Sequence, residues 1–428
     1  MTTDIENMFK DKVLGHPAGL FVLFFTEMWE RFSYYGMRAI FVLFLTASFS
    51  DGGWEWTRER AIGLLTIYTS SVYLTPLIGG IIADKFLGYQ KAVALGALAM
   101  TFGHLAMSLE TEITLYIGIS LLIIGNGLFK PNVTSIVSGL YDKYPERKDG
   151  AFTIFYMGIN LGAAVSALLV GYVGQKIGWH YGFGLAGIGM ALGQLIYFFG
   201  QKYLKDVGNL IEINEEEKKN QPNLIGDIFK HTNSMIGFGL TLALAAFIYF
   251  SSGSWSYAAL VAGLAFAVGI GIVIYNDGNK IEKDRILVTY LSFLLIIVFW
   301  GSFEQAGGLL NIYAEQKTDL SFGSFDVPSS WFQSVNAIFI LIFATLVGSF
   351  WGWWRNRGKE SSSLFKMAIG VIIMGWGFFF MSKASTEVVM DGENIVEKSA
   401  MSWLVLAYLF HTIGELCASP VALSFITK

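Results

Sequence analysis

Charged side chains are scarce in this chain. Asp, Glu, Lys and Arg make up 14% of its 428 residues, where a soluble domain carries roughly a quarter. A soluble protein of this length needs that polar surface to stay dissolved, so the scarcity argues against water as the main solvent. Cysteine is nearly absent. Cys417 stands alone, which excludes a disulfide framework and a cysteine metal cluster. The histidines, His16, His104, His180, His231 and His411, are scattered, with no close pair at metal-ligand spacing. No Walker phosphate loop is present, so ATP is not expected to drive anything here. A formal net charge of −4 and a pI of about 5.8 argue against nucleic acid as a partner. The first residues are polar and the first apolar run carries charges, so no cleavable signal peptide is expected.

What is abundant is apolar. Hydrophobic residues are 54% and the mean hydropathy is +0.53. They fall into long runs, at 18–48, 60–83, 91–109, 113–139, 151–175, 180–201, 234–252, 255–275, 286–313, 331–353, 364–382 and 400–427. Each run is long enough to cross a hydrocarbon core of roughly 30 Å at about 1.5 Å per helical residue. A membrane barrel would show short alternating segments instead. The expected fold class is therefore an all-α polytopic membrane protein. With the N-terminus inside, about nineteen Lys and Arg fall in cytoplasmic connections and about six in outer ones. The stretch 203–232, with Glu215-Glu216-Glu217-Lys218-Lys219, is the longest polar connection and reads as a solvated cytoplasmic linker. It separates a bundle at 1–202 from an apolar pair at 233–279 and a second bundle at 280–428.

An ionisable residue deep in lipid costs about 2.5–3.5 kcal/mol even on a lenient scale. The first run nevertheless holds Glu27, Glu30, Arg31 and Arg38. At helical spacing these share an arc of about 100° with Tyr34, and Tyr35 lies at its margin. Such a stripe cannot face lipid, so it lines a wet cavity or meets partner charges. Snorkelling to a helix end does not fit, because apolar residues flank Glu27 to Arg31 on both sides. A purely structural ion pair is the plain alternative. Lys130 is a lone cation in Gly125-Asn126-Gly127-Leu128-Phe129-Lys130-Pro131-Asn132, where Pro131 removes a backbone donor and is expected to kink the helix. Glu304 follows Trp300 by one turn, and Asn311 comes two turns later on the same face. Glu415 follows His411 by one turn. Tyr156 and Asn160 share a face, as do Gln333 and Asn336. Acids and bases thus come from both bundles, which places a polar site between them. Gly182-x-Gly184-x-x-Gly187 matches a dinucleotide fingerprint literally, but it sits in an apolar span without a preceding strand, so it reads as close helix packing.

The segment Glu27-Met-Trp-Glu30-Arg31-Phe32-Ser33-Tyr34-Tyr35-Gly36 closely resembles the proton-dependent oligopeptide transporter family of the major facilitator superfamily. The resemblance runs over essentially the whole chain. Gly79-Gly80-Ile-Ile-Ala-Asp84-Lys85-Phe-Leu-Gly88 is similar to the superfamily's loop signature between helices 2 and 3. Phe155-Tyr156-Met-Gly-Ile-Asn160-Leu-Gly162, Gly127-Leu-Phe-Lys130-Pro131-Asn132, Phe303-Glu304-Gln305 and Gly414-Glu415-Leu-Cys-Ala-Ser419-Pro420 resemble further motifs, in helices 5, 4, 7 and 10.

The resemblance implies a major facilitator fold of two six-helix bundles, with 233–279 as the two helices that many bacterial members insert. The last two core helices are then expected to be absent from these residues, as in a partial or truncated sequence. The implied function is a proton-coupled symporter that imports di- and tripeptides by alternating access. Relatives that carry nitrate or other small solutes, and a transport-inactive nutrient sensor, are the alternatives. An enzyme is not expected, because no metal cluster, triad or cofactor motif is found. By similarity, Glu27, Glu30 and Arg31 form the proton-coupling group with Lys130 as partner, and Arg38 pairs with Glu304 at the outer gate. Tyr34, Tyr35, Arg38, Tyr73, Lys130, Asn160, Trp300, Asn336 and Glu415 are the implied substrate-binding residues. No cofactor and no metal are expected, the proton gradient being the energy source. The expected partners are peptides, protons and the bilayer, with no nucleic acid and no obligate protein. The expected location is the inner cell membrane, with a cytoplasmic N-terminus.

Overall fold

The structure, a computed structural model, describes residues 12–210, 232–253, 258, 261–265, 269, 279–360, 362–392 and 394–426. The chain divides into two compact units, residues 1–210 with 298–428, and residues 211–297. The first unit opens with α1 (Ala18–Thr46), α2 (Arg58–Ile82), α3 (Tyr89–Met107), α4 (Glu112–Gly139), α5 (Lys148–Lys176) and α6 (Trp179–Gly200). In the second unit α7 runs from Thr232 to Ser252. The expected linker run Glu215 to Lys219 and most of the segment 255–275 lie outside the described residues. Then come α8 (Lys280–Phe303), α9 (Leu309–Lys317), α10 (Phe332–Asn356), α11 (Ser363–Glu387) and α12 (Met401–Ile426).

Helices dominate because a segment in lipid must satisfy its own backbone groups. Eight described stretches are long and apolar enough to cross a membrane. α1 is not among them. Its four charges spoil its hydropathy, and it is buried in protein instead, with Leu20, Leu23, Ile40, Phe41, Val42 and Phe44 all fully enclosed. The centre of the first bundle is therefore its most charged helix.

Glycine sets how closely the other helices approach. A Cβ on Gly162 of α5 would lie 2.2 Å from the Met28 carbonyl of α1, and one on Gly36 would lie 2.7 Å from Val170. Between α2 and α4, a Cβ on Gly79 would lie 1.9 Å from the Gly127 carbonyl. In the literal dinucleotide fingerprint the first glycine serves packing, since a Cβ on Gly182 would lie 2.9 Å from the Gly174 backbone, whereas one on Gly184 would meet nothing within 4 Å.

α4 runs from Glu112 to Gly139 with Pro131 inside it, and Asn132 and Ser135 return hydrogen bonds to the Leu128 and Pro131 carbonyls. One expectation changes. The run 286–313 is not one helix. It breaks at Glu304–Gly307 into a tight turn, and Gly308 (φ −110, ψ −95) leaves helical geometry before α9 starts. Trp300 and Asn311 therefore do not share one helical face.

Candidate functional site

α1 places three charges together. Arg31 Nε donates to Glu27 Oε1 at 2.7 Å, and the same nitrogen lies 2.9 Å from Glu30 Oε2. The second contact is an ion pair without hydrogen-bond alignment, so Glu30 Oε2 has no hydrogen-bond donor among the described residues. Glu27 is 2% exposed, Glu30 0% and Arg31 6%. Asn126 of α4 donates Nδ2 to Glu30 Oε1 at 3.2 Å. Tyr34 packs under the Arg31 guanidinium, which is 5.8 Å from the ring centroid.

Lys130, one turn after Asn126, makes no ion pair within 4 Å among the described residues. Its Nζ sits over the Tyr73 ring of α2, 4.8 Å from the centroid. Glu27, Glu30 and Glu304 are nonetheless within its electrostatic reach. The first bundle thus holds two acids and two bases in one buried zone, close to neutral as a group. In low dielectric that balance matters, since an unpaired buried charge is strongly destabilising.

Arg38, about two turns beyond Arg31, pairs with Glu304 through Nη2 and Oε2. The break ahead of α9 makes this contact: a Cβ on Gly307 would lie 2.6 Å from Arg38 Nε. Asn311, which follows the break, donates Nδ2 to the Ala39 carbonyl at 2.9 Å. In the other bundle, Asn336 of α10 donates to Glu415 Oε2 at 2.9 Å and to Thr412 Oγ1 at 3.0 Å. Glu304 and Tyr156 lie within electrostatic reach of Glu415. Tyr35 meets Tyr34 edge to face, with ring centroids 5.1 Å apart, and packs beside Ala163, Ala164 and Ala337, where α5 meets α10.

The expected residues therefore gather in three groups: Glu27–Glu30–Arg31, Lys130–Tyr73, and Asn336–Glu415, with Arg38–Glu304 joining the bundles. Asn160 and Trp300 take no part in these pairs. Asn160 donates to the Tyr156 carbonyl of its own helix at 3.0 Å, and Trp300 packs on Phe299 and Phe303.

Sequence reasoning missed two features. Asn126 was visible only as part of a motif. The second is a polar seam between the last turn of α5 and the turn before α10. Gln175 Nε2 donates to Glu315 Oε2 at 2.9 Å and Ser329 Oγ at 3.0 Å. Its Oε1 accepts from Ser330 N at 3.1 Å and Ser330 Oγ at 2.6 Å. A Cβ on Gly171 would lie 2.2 Å from Ser330 Oγ, so glycine permits the approach. No signal within α5 marks this partner, because a neutral glutamine near a helix end is unremarkable alone.

The chain is 38% identical to the uncharacterized transporter YclF of Bacillus subtilis (strain 168), over 97% of this chain and 82% of that one. It is 31% identical to a di-/tripeptide transporter of Lactococcus lactis subsp. cremoris, over 97% of this chain and 84% of that one. Among solved structures it matches a peptide transporter POT in complex with sulfate with a TM-score of 0.83 and 33% identity, covering 100% of this chain and 85% of that one. The family model for the POT family matches residues 90–428. With helices long and apolar enough to cross a membrane many times, this chain is a multi-pass membrane protein of the POT family.

Proposed function

We propose that the protein imports di- and tripeptides together with protons by alternating access. The observation that carries this is Glu30: a carboxylate with no exposed surface, beside Arg31 and under the amide of Asn126. A proton on Glu30 removes one negative charge from a balanced set of two acids and two bases. Its hold on Arg31 weakens, Lys130 loses a counter-charge, and the helices carrying them rearrange. Carrying one charge down a membrane potential yields about 2.3 kcal/mol per 100 mV, enough to bias such an equilibrium. The names of the relatives support peptides as cargo. A zwitterionic peptide needs an anion for its amine and a cation for its carboxylate. Glu415 supplies the first, while Arg38 and Lys130 supply the second. Tyr35, Tyr73, Asn160, Trp300 and Asn336 offer hydrogen bonds and apolar walls that tolerate varied side chains.

In this reading the bundles span residues 1–202 and 280–428, with 203–232 as linker and 233–279 as an inserted pair. The protein is a carrier and not an enzyme, needs no cofactor, and lies in the inner membrane with its N-terminus in the cytoplasm. That orientation puts the Arg38–Glu304 pair and the Gln175 seam on the outer side, both closed.

The test is uptake of a labelled dipeptide into proteoliposomes, with and without an inward proton gradient. Accumulation that depends on the gradient supports the proposal. Nitrate uptake in place of dipeptide uptake, or no gradient dependence, overturns it.

A further inference from the structure

Asn126 has no place in the charge pairs above, yet its placement is tightly constrained. Gly125 and Gly127 flank it. A Cβ on Gly125 would lie 2.5 Å from Met100 Cγ and 2.7 Å from the Gly96 carbonyl of α3. A Cβ on Gly127 would lie 2.7 Å from Thr75 Cβ of α2. α4 is thus clamped backbone to backbone on two sides. The residue between the glycines is left to point at α1.

There it meets Glu30. The amide is 1% exposed and gives Nδ2 to Glu30 Oε1 at 3.2 Å. Its carbonyl end, Oδ1, is buried with no hydrogen-bond partner among the described residues. A buried amide is costly unless satisfied, so this one is held for its single bond to a carboxylate. The other groups around Glu30 are Glu27, Arg31 and Tyr34 on its own helix, Lys130 on α4 and Tyr68 on α2. The cations there belong to the rearranging set. Asn126 is the neutral donor, fixed by the glycine clamp.

Building on the proton-coupling role of Glu30, we propose that Asn126 is a positioning residue that sets the pH at which transport is driven. Its N–H favours the charged form of Glu30, so the proton loads only when the outside is acidic enough. The clamp keeps this donor in place while Arg31 and Lys130 change partners. Coupling therefore retains one fixed reference during the cycle.

The test is gradient-driven dipeptide uptake as a function of external pH for wild type, Asn126→Leu, Asn126→Thr and Glu30→Gln. Loss of the donor makes protonated Glu30 relatively easier to form. The pH of half-maximal uptake in Asn126→Leu is expected to move up by about one unit, the size of one hydrogen bond to a charged group. Asn126→Thr keeps a hydroxyl donor and should move back toward wild type. A merely structural role would lower uptake at every pH and leave the midpoint where it was, in both variants, and that result overturns the proposal. If Asn126→Leu does not fold, a wild-type midpoint in Asn126→Ala overturns it equally. Glu30→Gln separates the two claims. If it still shows driven uptake, the coupling role of Glu30 fails and this proposal with it. If it loses driven uptake while the Asn126 variants keep the wild-type midpoint, only the role of Asn126 fails.

Discussion

Asn311 of α9 donates its side-chain amide to the backbone carbonyl of Ala39 in α1, at 2.9 Å and out of reach of water. The residue before Ala39 is Arg38, which pairs with Glu304 in the turn that breaks the helix ahead of Asn311. One side chain and one main chain thus lock the same two elements within a few residues. The break makes this geometry, because a continuous helix would carry Asn311 round to another face.

In Glu30→Gln, gradient-driven uptake should fall to the level seen without a gradient, while exchange of dipeptide across the membrane persists. A glutamine keeps the shape and accepts from Asn126, but it cannot take up a proton. Paired assays of driven uptake and counterflow on the same proteoliposomes check this. Equal loss of both would mean that Glu30 serves folding or binding instead.

The Arg38–Glu304 pair should separate during the cycle. Spin labels at Thr66 in α2 and Leu309 in α9, both exposed, are expected to report two distances whose populations change when a dipeptide is added. Glu304→Gln leaves a buried guanidinium short of its counter-charge, and breaking such a pair costs about 3–5 kcal/mol. It should therefore shift the labels toward the longer distance without substrate. One fixed distance under all conditions is incompatible with a moving outer gate.

Two adjacent glycines should behave differently. A Cβ on Gly79 would strike the Gly127 carbonyl at 1.9 Å, whereas one on Gly80 meets nothing within 4 Å. Gly79→Ala is expected to destabilise by about 1–3 kcal/mol, because a backbone carbonyl cannot move aside as a side chain can. Gly80→Ala should be neutral or slightly stabilising, by helix propensity. Thermal unfolding midpoints in detergent distinguish them, and equal midpoints would contradict the α2–α4 packing.

Acetylating the amine of a dipeptide should weaken binding to the wild type at least about tenfold, the scale of one lost charge-assisted hydrogen bond. Asn336 occupies Glu415 Oε2, which leaves Oε1 for the amine. In Glu415→Gln the anion is already gone, so the same acetylation should matter much less. Competition binding with free and blocked dipeptides measures both. Equal affinities for the two in the wild type would rule out recognition of the amine.

The solvent, the helices and the chemically important residues were legible in the amino-acid order alone. A charge in an apolar run is expensive wherever the run folds, so Glu27, Glu30, Arg31, Arg38, Lys130, Glu304 and Glu415 stood out without any structure. Helical spacing also put the α1 charges on one arc, because that periodicity is local. Tertiary structure alone decided the partners. It set Arg31 between Glu27 and Glu30, and laid Lys130 on the Tyr73 ring. It turned Asn126 toward Glu30 and joined Gln175 to Ser330. Spacing within one helix says which residues share a face. It cannot say which helix that face meets or at what depth. Those follow from how near two backbones can come, and here glycines distant in sequence fix that distance.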